Sequence, residues 1–253
     1  MSIAHNKYAL VTGASSGIGR ACALALLAEG WTVALVGRRA DALAETAAAA
    51  GEAASRAHAL PCDVSDDVAV AQLFDTVRER FGRLDLLFNN AGVSLPNTLP
   101  GDLSASEWRR AVDVNLHGMF FCLSAAFKLM QTQAPQGGRI INNGSISAHV
   151  PRPGTIAYTA TKHAVSGLTR AAALDGRNFD IAVGQIDIGN VASDMTLKMA
   201  AGVPQPDGSI RPEARMDMSS LVETFMAMTR LPLSANVLFT TVMATKMPFV
   251  GRG

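Results

Sequence analysis

Short runs of apolar, often β-branched residues alternate along the chain with longer stretches whose apolar positions recur at helical spacing. Residues 8–11 read as a strand, 18–29 as a helix stopped by Gly30, 31–36 as a second strand, and the alanine-rich stretch ending near Gly51 as a second helix. A third strand is expected at 57–62, followed by a helix over 66–80 with Ser65 as its N-cap. The fourth strand is 84–88; a long helix from about 104 to 131 then leads to a fifth at 139–143. A helix from about 157 to 177, a strand at 181–187, a helix over 219–230 and a strand at 237–243 complete the series. Alternation of this kind predicts an α/β fold, a doubly wound parallel sheet of about seven strands with helices on both faces.

No repeat, linker or break in composition divides the chain, so one domain spanning 1–253 is expected. One stretch departs from the pattern, about 193–217, where Gly202, Pro204, Pro206, Gly208 and Pro212 fall close together. It is too long for an ordinary connection and reads as a substrate lid or a partly disordered loop. Eight of the eleven methionines lie between Met195 and Met247, as a flexible apolar cover or as packing. Charge adds exclusions: 22 basic against 21 acidic residues argue against an electrostatic nucleic-acid binder and against a disordered chain. Apolar stretches stop short of the roughly 18–20 residues that cross a bilayer. Six residues of mixed character precede the first strand, too few for a signal peptide. A cytoplasmic protein without membrane or nucleic-acid partners is expected. Cys22, Cys62 and Cys122 form no CxxC and no Cys/His cluster, so they read as small buried hydrophobes and no metal site is expected.

Between the first strand and the first helix lies Thr12-Gly13-Ala14-Ser15-Ser16-Gly17-Ile18-Gly19. Glycines there let the chain turn tightly and bring backbone N–H groups against a pyrophosphate at the positive end of a helix. The spacing is GxxxGxG rather than GxGxxG. Asn89-Asn90-Ala91-Gly92 follows the fourth strand and Asp63-Val64 the third. Residues just past strand C-termini line the ligand crevice of open α/β sheets, where these suit a ribose and base; the alternative is ordinary turn chemistry. The second strand ends Leu35-Val36-Gly37-Arg38-Arg39. A site built for NAD(H) places a carboxylate there, whereas Gly37 leaves room for a 2′-phosphate and Arg38 can bond it, with Arg39 a second cation or a solvated one. NADP(H) is therefore favoured over NAD(H).

Tyr158-Thr-Ala-Thr-Lys162 puts a phenol and an ammonium on one face of a helix, one turn apart, where the cation favours the ionised phenol. Ser145 emerges at the end of the 139–143 strand, able to hold a substrate oxygen beside Tyr158; Ser147 competes but lies further into the loop. Asn115, a polar residue inside an apolar helix, is unfavourable unless it holds a partner.

Taken together, Thr12-Gly13-(x3)-Gly17-Ile18-Gly19, Asn89-Asn90-Ala91-Gly92, Asn115, Ser145 and Tyr158-(x3)-Lys162 resemble, in order and spacing, the short-chain dehydrogenase/reductase family, from Lys7 to about Ser193. The resemblance implies a single-domain Rossmann-type fold. It implies hydride transfer between a nicotinamide cofactor and a small-molecule carbonyl or secondary alcohol, with Tyr158 as the acid–base residue and Ser145 positioning the reacting oxygen. Lys162 would bind the ribose hydroxyls, Asn115 would support a water-linked proton relay, and Gly189, Val191 and Ser193 would meet the nicotinamide. It also implies a homotetramer or homodimer paired through the long helix and the Tyr-bearing helix. Departures are Ile188 where the family usually has proline, Ser193 where it has threonine, no Gly-Gly near the last strand, and Ser16 where NADP-binding relatives are often basic. His149 and Arg152 fall in the segment that lines the family's substrate pocket; Arg152 reads as a carboxylate binder or a solvated loop residue. Trp108 reads as a packing anchor. An alternative from another class is a catalytically silent dinucleotide binder, a redox sensor or structural subunit.

Overall fold

Period-two alternation within single strands sorts the apolar residues into two separate cores. Ala9 and Val11 face one side of the sheet with Val33, Leu35, Leu86, Phe88 and Ile141, while Leu10, Ala34, Val36, Leu87 and Ile140 face the other. A sheet apolar on both faces needs helices on both, and the chain supplies them. The computed structural model describes residues 7–193, 196 and 202–250. In chain order it runs β1 (Tyr8–Thr12), α1 (Gly17–Ala28), β2 (Thr32–Gly37), α2 (Ala40–Ala48), β3 (Ala57–Pro61), α3 (Asp67–Phe81) and β4 (Leu86–Asn89). Then come α4 (Ala105–Val112), α5 (Gly118–Thr132), β5 (Gly138–Asn143), α6 (Ile156–Asp175), β6 (Ile181–Ile188), the short strands β7 (Val203–Pro204) and β8 (Ile210–Arg211), α7 (Met218–Arg230) and β9 (Phe239–Val242).

Seven strands form one parallel sheet in the order β3-β2-β1-β4-β5-β6-β9. Helix α1 places Cys22, Ala23, Leu26 and Leu27 in the first core, joined by Leu221, Phe225, Met226 and Met228 of α7; the Phe88 and Phe225 rings lie 4.5 Å apart between centroids. Helix α3 buries Val70, Leu73, Phe74 and Val77 in the second core, at helical spacing, beside Cys122, Ala126 and Met130 of α5. Among the described residues no helix is long and apolar enough to cross a membrane.

Three expectations change. Asp66, not Ser65, caps α3 by accepting from the Ala69 N–H, because the Ser65 hydroxyl and N–H are engaged with Asp63 Oδ1. The long helix is interrupted by a π-helical turn, Asp113–His117, which carries Asn115 inward. Trp108 is 40% exposed on α4 and belongs to neither core among the described residues. Within the stretch 193–217, β7 and β8 pair antiparallel and Met216 bridges Val191; residues 194, 195 and 197–201 lie outside the described ones, and with them Met195 and Met199. Of the other methionines in that cluster, Met216, Met226, Met228 and Met247 are core residues, and Met218 and Met243 pack against the core. Ile188, in place of the family's proline, is the last residue of β6 and pairs with Val242.

Candidate active site

Strand order reverses between β1 and β4, so the C-terminal ends of β1, β4 and β5 border a crevice in which backbone groups need polar partners. Thr12 Oγ1 accepts the N–H groups of Asn90 and Ala91 at 2.8 and 2.9 Å, and Asn90 Nδ2 donates to the Thr12 carbonyl at 2.8 Å. Asn143 Nδ2 donates to Asn90 Oδ1 at 2.8 Å, and the Asn143 carbonyl accepts from Lys162 Nζ at 2.7 Å. A polar chain thus crosses the sheet edge from Thr12 to Lys162. Thr12 opened the glycine motif in the sequence; Asn143 was not singled out, though it is the polar last residue of β5.

The glycine turn closes against this chain. Gly13 has φ +69°, and a Cβ there would stand 2.8 Å from Asn90 Nδ2; a Cβ on Gly19 would stand 2.3 Å from the Gly13 carbonyl oxygen. Only bare backbone fits, which brings the N-terminus of α1 to the crevice. A cavity of about 540 Å³ lies over it. Gly13, Ser15, Ser16, Gly17, Ile18 and Gly19 form one wall, with Arg38, Arg39, Asp63 and Val64 at one end and Asn90, Ala91 and Gly92 midway. Ser145, Tyr158, Lys162, Gly189, Val191 and Ser193 also line it.

Asn115 stands behind the wall. It is fully buried; its Oδ1 accepts from the Val93 N–H at 2.7 Å and its Nδ2 donates to the Val93 carbonyl at 2.9 Å, so the side chain clamps the segment after β4. Gly118, just after the π-helical turn, touches the loop after β3: a Cβ there would stand 2.9 Å from the Val64 carbonyl oxygen.

Beyond the ends of β2 and β3, Arg38 Nη1 lies 3.9 Å from Asp63 Oδ2 and Arg39 Nη2 lies 3.5 Å from Ser15 Oγ. A Cβ on Gly37 would meet only Leu43 and Ser15 at ordinary contact distance, 3.5 Å. Partial burial would raise the Asp63 carboxyl, but the two hydrogen bonds from Ser65 and the Arg38 charge outweigh it and hold Asp63 below the usual range. Burial, helped by Asp63 and Asp66, pushes the neighbouring Cys62 thiol up to about 11. Burial pushes Cys22 and Cys122 up further. All three thiols are free and buried.

At the other end, Ser145 leaves β5 in extended conformation. Its Oγ accepts the Ser147 N–H at 3.1 Å, and its own N–H donates to Asp187 Oδ1 at 3.0 Å. Asp187 is fully buried, and also accepts from Gln185 Nε2 and pairs with His149 Nε2, each at 2.7 Å. Lys162 Nζ lies 5.6 Å from the centroid of the Tyr158 ring. Arg152 is not solvated: its Nη2 lies 2.6 Å from Glu213 Oε2, with the two side chains 11% and 1% exposed. Asp187 had a sequence signal, a lone acid in a strand whose other polar side chain is Gln185; Glu213, far from Arg152 along the chain, had none.

The comparisons agree with this geometry. The family model described as short chain dehydrogenase matches residues 7–203. A 3beta-hydroxysteroid dehydrogenase of Mediterraneibacter gnavus is 37% identical over 221 residues, 87% of this chain and 79% of that protein. A 3-oxoacyl-[acyl-carrier-protein] reductase of Synechocystis sp. is 39% identical over 200 residues, 77% of this chain and 78% of that protein. The crystal structure of acetoin dehydrogenase YohF from Salmonella typhimurium superposes with a TM-score of 0.77 at 30% identity, covering 94% of this chain and 95% of that one. These relatives are oxidoreductases, which sets aside the silent dinucleotide binder. The chain belongs to the short-chain dehydrogenase/reductase family and is an oxidoreductase acting between CH–OH and C=O groups with a nicotinamide cofactor.

Proposed function

We propose that the protein is an NADP(H)-dependent oxidoreductase of secondary alcohols and ketones, with Ser145, Tyr158, Lys162 and Asn115 as its working set. The observation that carries this is that one cavity is lined both by the glycine turn and by Ser145, Tyr158 and Lys162. The turn fits a dinucleotide: the positions that face Asn90 and close the turn admit no Cβ, and the α1 N-terminus beside them suits a pyrophosphate. Gly37, Arg38 and Arg39 support NADP(H), since no carboxylate stands at the end of β2 and two guanidiniums do.

When bound, the dinucleotide would supply the hydride at nicotinamide C4. The chain supplies everything else. Ser145 Oγ has one lone pair engaged by the Ser147 N–H, so its own proton is directed to the substrate oxygen. Tyr158 gives that oxygen its proton in reduction and takes it back in oxidation. Lys162 is anchored at Asn143, which leaves two ammonium hydrogens for ribose hydroxyls while its charge stays near the Tyr158 ring. The Asn115 side chain is occupied with Val93, so we place its part in a proton relay at the main chain, within the π-helical turn.

We read 202–217 as the cover of the substrate end, since Val203 lines the cavity and Glu213 holds Arg152. Exposed Trp108 on α4 and Phe120 on α5, 40% and 47% exposed, support a homotetramer or homodimer paired there. Three free cysteines fit a cytoplasmic location. The test is NADPH absorbance against a panel of aldehydes and ketones: turnover with at least one class is expected, and none from protein that binds NADPH would refute the assignment.

A further inference from the structure

Away from the glycine turn the cavity wall is largely uncharged, with Val93, Leu95, Pro96, Leu103, Ile156 and Val203 among uncharged polar residues such as Ser94, Asn97, Thr98 and Thr155. Charged residues that line the cavity are few. Arg38, Arg39 and Asp63 stand at the adenosine end and Lys162 is tied to the Asn143 carbonyl, which leaves Arg152 as the charge among the described lining residues at the substrate end. An arginine on a largely uncharged wall recruits carboxylates, because its planar donors match them and little water competes. Here that capacity is taken by the chain itself. Glu213 Oε2 lies 2.6 Å from Arg152 Nη2 and also accepts from Asn190 Nδ2 at 2.9 Å, while Arg152 Nη2 donates to Asn190 Oδ1 at 2.8 Å. Gln205 Nε2 adds a contact to the other Glu213 oxygen at 3.3 Å.

This network joins two residues that line the cavity, Arg152 and Asn190, to Glu213, which is not among the lining residues. Arg152 follows Ser145, Asn190 follows β6, and Glu213 belongs to the stretch after β8. We propose that Arg152 and Glu213 are a specificity-determining pair that makes the enzyme select uncharged, predominantly apolar ketones and secondary alcohols and exclude their carboxylate-bearing counterparts. The inference rests on the reading that the Ser145–Tyr158 end receives the substrate. Its physical basis is twofold. Glu213 cancels the guanidinium that would attract an anion, and it occupies the Arg152 Nη2 donor that a substrate carboxylate would otherwise meet. A carboxylate on the substrate would lose its hydration on entering and find no compensating partner, whereas an alkyl chain gains by leaving water.

The experiment compares kcat/KM with NADPH for octan-2-one and related neutral ketones against oxooctanoates of the same chain length, with the carbonyl at successive positions. Wild type is expected to favour the ketones by about 100-fold or more. Glu213→Gln keeps size and hydrogen bonding but removes the negative charge. It is expected to narrow that ratio by about tenfold or more through a lower KM for the oxo acids, with NADPH affinity unchanged. The double variant Arg152→Gln/Glu213→Gln removes both charges and should restore the exclusion of acids. If Glu213→Gln fails to fold, by its thermal midpoint, inhibition of the wild type carries the test: octanamide should compete with ketone and octanoate should not. Oxo acids used as well as ketones, octanoate inhibiting as well as octanamide, or a folded Glu213→Gln with the wild-type ratio would overturn the proposal. An enzyme that binds NADPH but turns over neither class would instead overturn the functional reading on which it rests.

Discussion

Ser145 is anchored from behind by Asp187: its backbone N–H donates to Asp187 Oδ1 at 3.0 Å, while the hydroxyl-bearing side chain lines the cavity. The same carboxylate oxygen leaves no space at residue 144, where a Cβ would stand 2.0 Å from it, so Gly144 and Asp187 define the exit of β5 together. Replacing Asp187 by alanine strips an acceptor from Ser145, Gln185 and His149 at once. Urea unfolding should show a loss of about 2–5 kcal/mol, and kcat should fall at unchanged NADPH affinity. Wild-type turnover in this variant would show that the anchor does not matter to the chemistry.

Tyr158→Phe removes one hydroxyl from the cavity wall and no hydrogen bond from the polar chain between Thr12 and Lys162. Turnover should drop by about 10²–10⁴-fold, the ordinary worth of general acid–base catalysis. NADPH titration by fluorescence should change little. Lys162→Ala should weaken both, since it also releases the Asn143 carbonyl.

Cofactor choice is open to inversion at the end of β2. A Cβ on Gly37 meets its neighbours at ordinary contact distance, 3.5 Å, so Gly37→Asp is sterically admissible. Wild type should prefer NADPH over NADH by about ten- to a few-hundred-fold, one or two charge-assisted hydrogen bonds' worth. Gly37→Asp with Arg38→Leu should shift kcat/KM toward NADH; equal use of both cofactors by wild type would show that this turn sets no preference.

Acid sensitivity should have a component from β3. Burial first, and then the Arg80 charge, lower the pKa of His58, whose ring packs edge-on against Phe81 at 5.2 Å. The unfolded chain therefore takes up this proton at a higher pH than the folded one. The contribution to stability is intact above the unfolded value of about 6.5 and is lost as pH falls from there toward the lower folded value. Thermal midpoints recorded between about pH 7 and 5 should decline less steeply for His58→Gln. An identical slope would assign the acid loss to other groups.

Closure over the substrate end can be followed by amide exchange. Residues 202–217 should be better protected with cofactor and a ketone or alcohol bound than without, because the Arg152–Glu213 contact ties this stretch to the segment after Ser145. Exchange that does not slow on binding would count against a cover.

Layer architecture was legible in the sequence because it depends on local periodicities. Alternate residues of β1 and β2 divide between two cores, and α3 repeats its apolar residues at helical spacing, whatever the rest of the chain does. The glycine turn, Asn90 and the Tyr158–Lys162 pair were legible too, because each is a short segment with its own chemistry and spacing. Tertiary structure decided what depends on partners distant in sequence. Asn115 could be recognised as needing a partner, but not that Val93 fills both ends of its amide. Arg152 read as a solvated loop arginine or a carboxylate binder, and only the fold brought Glu213 to it, 61 residues further along. The same holds for Asp187 under Ser145, 42 residues apart. Periodicity reports which face of an element is buried; only the packing of elements determines which two buried polar groups meet, and here those meetings set the position and charge of the groups around the cavity.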